Sequence, residues 1–150
     1  MPFVHGRQYR PDELRRLVGH ESQVAGIRLV EIADGRARGV RAADVRTGSG
    51  FRFVVLIDRG MDVGAAEHAA RSLAFLHPAH GSAALHEPAG IGWLRTFGGG
   101  LVTTCGLTHY GPPDLEGEGF GLHGRAAHLP AENVRVRQEW RGDVYALEIE

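Results

Sequence analysis

Short apolar runs, broken every few residues by glycine, make up most of this chain. Glycine supplies 22 of the 150 residues, which favours many turns and short strands over long helices. Several runs also alternate in polarity, the period of a strand with one buried face. The clearest sets Val134, Val136 and Gln138 against Arg135, Arg137 and Glu139. Strands are predicted over residues 24–32, 37–46, 51–57, 72–76, 100–105, 133–140 and 143–149. Turns fall at Asp34-Gly35, Gly48-Ser49-Gly50 and Arg141-Gly142-Asp143. The turns make hairpins of 37–46 with 51–57 and of 133–140 with 143–149.

One segment breaks the pattern near the start. Residues 11–18 read as a short helix, with Pro11 in the first turn and Asp12 and Glu13 at its positive end. Leu14, Leu17 and Val18 give it a narrow apolar stripe. The region 77–131 differs again. It holds six of the nine histidines and Pro78, Pro88, Pro112, Pro113 and Pro130. Long ordered loops of this kind carry function more often than packing. No repeat or linker divides the chain, so 1–150 is read as one domain. Glu150 follows a predicted strand directly, which predicts that the natural chain continues.

Composition removes several functions. The net charge is −1, which offers nothing to nucleic acid or a membrane surface. All 17 basic residues are arginine, so a lysine Schiff base and a Walker-type phosphate loop are excluded. Cys105 is the single cysteine, so no internal disulfide forms, and a cytoplasmic setting is expected. No apolar run approaches the ~18 residues of a membrane span.

The motifs are weighed in turn. GFGLHG at 119–124 matches the dinucleotide fingerprint in letters, but proline and acidic residues stand where a strand should precede it. No cofactor is expected. His77, His80 and His86 have permissible metal spacing, yet no second cluster completes a site, so no metal is assigned. A metal-dependent sugar isomerase remains an alternative on these histidines. Cys105 sits in the apolar run VTTCGL and is expected to be a buried structural thiol. There is no G-x-S-x-G. Arg59 and Asp62 flank a glycine turn, and either pin that turn or offer Arg59 to a ligand. The densest chemistry-bearing set is Trp93, Arg95, Phe97, His109, His123 and Arg125. Aromatic faces with planar donors suit sugars.

Three segments carry a resemblance: RGMDV (59–63), GWLRTFGGGLVTTCGL (92–107) and GLHGRAAHLPAENV (121–134). Together they resemble an uncharacterised branch of the aldose 1-epimerase (galactose mutarotase)-like superfamily. The resemblance implies an all-β, antiparallel β-sandwich of the galactose mutarotase-like (supersandwich) type, incomplete here and representing its N-terminal portion. It implies a small-molecule sugar as partner and acid/base ring opening as the reaction. By motif position, His123 is the expected catalytic histidine and Arg95 the expected sugar-binding arginine. Arg125, His109, Trp93, Phe97 and Arg59 complete the expected substrate-binding set. In that family a glutamate takes the proton of the anomeric hydroxyl while a histidine protonates the ring oxygen. Glu87, Glu116 and Glu118 carry no motif marking them as that base, so the 150-residue form is expected to be inactive. The alternative is a carbohydrate-binding protein without catalysis.

Overall fold

The computed structural model describes residues 3–4, 6–78, 85, 89–114, 116 and 119–150. The chain opens with a minimal antiparallel pair, β1 (Phe3–Val4) and β2 (Arg7–Gln8). Helix α1 follows at Pro11–Leu17, with proline in its first turn and Leu14 buried. The Glu13 carboxylate accepts the Arg10 backbone N–H at 2.9 Å, closing the helix start.

The centre is a five-stranded antiparallel sheet: β3 (Gly26–Glu31), β4 (Arg41–Arg46), β5 (Phe51–Leu56), β6 (Asp62–His68) and β7 (Arg71–Ser72), in that order. Every strand pairs with its sequence neighbour, so each connection is a local turn. Strand β8 (Phe75–Leu76) pairs with β9 (Gly99–Gly100), and helix α2 (Trp93–Thr96) lies just before β9. The hairpin β10 (Val136–Arg141) and β11 (Val144–Ile149) ends the chain. The fold is all-β with antiparallel sheets, as the resemblance implied.

Alternation explains the layering. Ile27, Ala43, Val45, Val55 and Ile57 share one face of the sheet and are buried. Against them pack Val134 and, from the terminal hairpin, Val136, Leu147 and Ile149. Each full burial of such a side chain contributes roughly 1.5–3 kcal/mol relative to exposure. Gln138, in phase with Val136, uses its amide differently. Its Oε1 accepts the Ile27 N–H at 2.8 Å and its Nε2 donates to the Ile27 carbonyl at 3.2 Å. A side chain thus occupies part of the open edge of β3 as a neighbouring strand would.

Several strand expectations need correction, β3 and β10 starting two and three residues later than expected among them. Strand β4 starts at Arg41 rather than 37, because Gly39 takes a positive φ and Val40 N–H turns back to Ala37. The expected 72–76 strand divides into β7 and β8. The expected 100–105 strand shrinks to β9 and one bridge, Val63 with Val102. Strand β6 was not expected, since DVGAAEH carries weak β formers; pairing with β5 supplies what its propensity lacks. Among the described residues, no helix is long and apolar enough to cross a membrane.

Candidate functional site

The turn leaving β5 organises the loops between α2 and β10. Gly60 N–H donates to the Leu129 carbonyl at 2.9 Å, and Thr104 Oγ1 donates to the Gly60 carbonyl at 3.1 Å. A Cβ on Gly60 would stand 2.6 Å from the Ala126 carbonyl oxygen, so only glycine allows this approach. Beside it, the Asp62 carboxylate accepts the Thr104 N–H at 2.5 Å. Burial pushes the Asp62 pKa up, against the Thr104 bonds and the Arg59 charge.

Arg59 is 1% exposed. Its Nη1 donates to the Thr96 carbonyl at 3.1 Å, at the end of α2. Burial pushes its pKa down, with the nearby Asp62 charge opposing. The side chain therefore lies buried against the end of α2.

Next to the Arg59 bond, the Thr96 side chain joins a small network. Thr96 Oγ1 lies 3.0 Å from the Trp93 carbonyl and 2.8 Å from His128 Nε2. A hydroxyl has one proton to give. When Thr96 donates it to the Trp93 carbonyl, His128 Nε2 must carry the proton of the other bond. The 3₁₀ turn Ala126–His128 presents His128 from below.

The Trp93 ring stacks on Phe97, centroids 4.7 Å apart, and meets the His123 ring edge-on at 4.9 Å. Tyr110 covers His123 from another side at 5.7 Å. His123 takes a φ of +57°, rare for a residue with a side chain. Two backbone bonds hold it there: His123 N–H to the Gly111 carbonyl at 3.0 Å, and Gly106 N–H to the His123 carbonyl at 2.8 Å. Gly124 must be glycine, because a Cβ would stand 2.4 Å from both the Gly106 and His109 carbonyl oxygens. Those crossings account for the His-Gly pair physically.

Two buried polar atoms in this cluster, Trp93 Nε1 and His123 Nδ1, have no hydrogen-bond partner among the described residues. Buried polar atoms are nearly always paired, so such an atom calls for an explanation.

The other expected residues are arranged less tightly. His109 stacks on Phe120 at 5.7 Å, and its Nε2 bonds to the Pro112 carbonyl. Arg125 is exposed at the start of the 3₁₀ turn, its N–H bonded to the Gly106 carbonyl at 3.1 Å. Arg95 is exposed on α2, and its carbonyl accepts from Arg36 Nη2 at 3.2 Å. Sequence reasoning did not single out Thr96, His128 or Tyr110; no motif spacing marks them.

Residues 37–150 match a protein family described as a domain of unknown function, DUF4432. The chain belongs to this family. The DUF4432 match spans β4 to β11 and takes in every residue of the cluster. Comparisons with curated proteins and with solved structures returned no match.

Other expectations resolve around this DUF4432 core. GFGLHG has no described strand before it and only the 3₁₀ turn after it, so the dinucleotide context is missing. His80 and His86 lie outside the described residues. No group of three metal-ligating side chains occurs among the described residues. Cys105 is exposed, correcting the buried thiol that its apolar neighbours suggested. After the Val102 bridge the chain leaves the sheet, and Thr104 N–H bonds to Asp62 instead of to a strand, so the thiol faces out.

Proposed function

We propose that this DUF4432 chain binds a small-molecule sugar at the Trp93–His123 cluster and is an aldose 1-epimerase-like isomerase. In this reading Trp93 and Phe97 form the wall for a sugar C–H face. His123 gives a proton to the ring oxygen or holds a hydroxyl. Exposed Arg125 and Arg95 reach hydroxyls, while Arg59 positions α2 from beneath. The observation that carries the reading is the pair of unpartnered ring nitrogens on touching aromatic side chains. A hydroxyl-rich ligand with an apolar face satisfies both properties. The LHGR and TCGL motifs support the same assignment. The exposed thiol of Cys105 suits a reducing, cytoplasmic setting.

Anomer exchange also needs a base opposite the proton donor. Among the described residues, no carboxylate bonds to His123 or Trp93. That favours a second reading, a carbohydrate-binding protein without turnover. NMR with a panel of aldoses separates the two. Accelerated anomer exchange that falls about 10²-fold or more in His123→Ala supports the isomerase and overturns the expected inactivity of the 150-residue form. A saturable shift of the Trp93 indole N–H without exchange supports binding alone. Neither response overturns both.

A further inference from the structure

The face of the central sheet opposite the terminal hairpin holds a basin of about 750 Å³. Its floor is aliphatic: Val30, Ala42, Val54 and Leu56 all contribute. Val30 stays 38% exposed and Leu76, at the rim, 53% exposed. Lone exposed aliphatics need no cause, but here they surround charge.

Three guanidinium groups line this basin, Arg28, Arg36 and Arg52, against one carboxylate, Asp44. Asp44 is 8% exposed, and Arg52 engages both its oxygens, Nε at 2.7 Å and Nη2 at 3.1 Å. Arg28 is the direct cross-strand neighbour of Asp44, yet makes no hydrogen bond or ion pair among the described residues. Arg36 bonds only to a backbone carbonyl there, that of Arg95, which leaves its charge uncancelled. Two positive charges therefore stand uncompensated over an apolar floor.

We infer that this basin binds a small organic anion with an apolar body, an aromatic or alicyclic carboxylate. The carboxylate meets Arg28 and Arg36, which suit its planar geometry. The ring covers Val30, Val54 and Leu56. An inorganic anion gains the charge contacts but not the floor; a neutral ring gains the floor alone. The basin shares no lining side chain with the Trp93–His123 cluster, although Arg36 reaches the Arg95 carbonyl on α2.

Benzoate tests it, with benzamide and inorganic phosphate beside it, followed through backbone amide signals of the 150-residue chain. The expected result is a saturable benzoate shift at Val30, Ala42 and Val54. Benzamide and phosphate should each bind at least about tenfold more weakly, and R28Q/R36Q should weaken benzoate by a similar factor. Both arginines are exposed; if the double variant does not fold, each single variant repeats the test. Phosphate or benzamide binding as tightly as benzoate overturns the inference. So does benzoate binding that ignores both arginines, the lack of any saturable shift, or a dimer that covers Val30 and Leu76.

Discussion

The Thr96 hydroxyl lies 2.8 Å from His128 Nε2, with both side chains buried beneath the helical turn that carries Trp93. With the Arg59 bond to the Thr96 carbonyl, it fixes one end of a helix too short to hold itself. His128→Leu removes a buried partner and should cost about 1–3 kcal/mol in denaturant unfolding. The ring nitrogen shifts of His128 should report a proton on Nε2. A neutral ring protonated on Nδ1 instead would reverse the assigned direction of that bond.

Gly124→Ala probes the crossing of loops behind His123. The added Cβ meets two carbonyl oxygens at 2.4 Å, at a residue whose φ is +72°. Backbone strain alone costs about 1–3 kcal/mol, and the clash adds to it. Thermal unfolding should show the loss, and the His123 ring signals should move. An unchanged melting temperature with unmoved His123 signals would remove the crossing as an explanation of the His-Gly pair.

The Arg41–Asp58 pair ties β4 to the turn that leaves β5. Arg41 gives Asp58 guanidinium bonds at 2.6 and 2.9 Å and a backbone N–H bond at 2.8 Å. Burial by itself would raise the Asp58 pKa, but these bonds and the Arg41 charge outweigh it and hold the carboxyl below its ordinary value. A depressed carboxyl contributes stability that is complete above the unfolded pKa of about 3.9 and is lost as pH falls through the lower folded value. Asp58→Asn should therefore lower the melting temperature at neutral pH, with the gap to the parent protein closing under acid conditions. A gap that stays constant with pH would show that charge is not what the pair contributes.

Cys105 should be open to a thiol reagent in the folded protein. Its exposure predicts a modification rate within about tenfold of that in denaturant. Reaction only after unfolding would restore the buried thiol expected from its apolar neighbours.

What was legible in sequence was local. PDELRRL forms its helix because proline, acids and apolar spacing all lie within one short window. The Val134–Gln138 alternation placed Val136 against the sheet because strand periodicity depends on neighbours alone. Strand β6 was not legible, since DVGAAEH is a strand only once β5 offers its edge. Arg59 could be read as a turn pin or as a ligand contact, because nothing in RGMD says what will lie above it. The packing of α2 decided that it is buried. Thr96 and His128 stand 32 residues apart and meet only after the loops cross at Gly60 and Gly124. Patterns of polarity and turn residues thus determined an antiparallel β protein and nominated its chemical side chains. Which of them touch, which are covered and which face solvent was decided by tertiary packing, because long-range contacts leave no period in the chain.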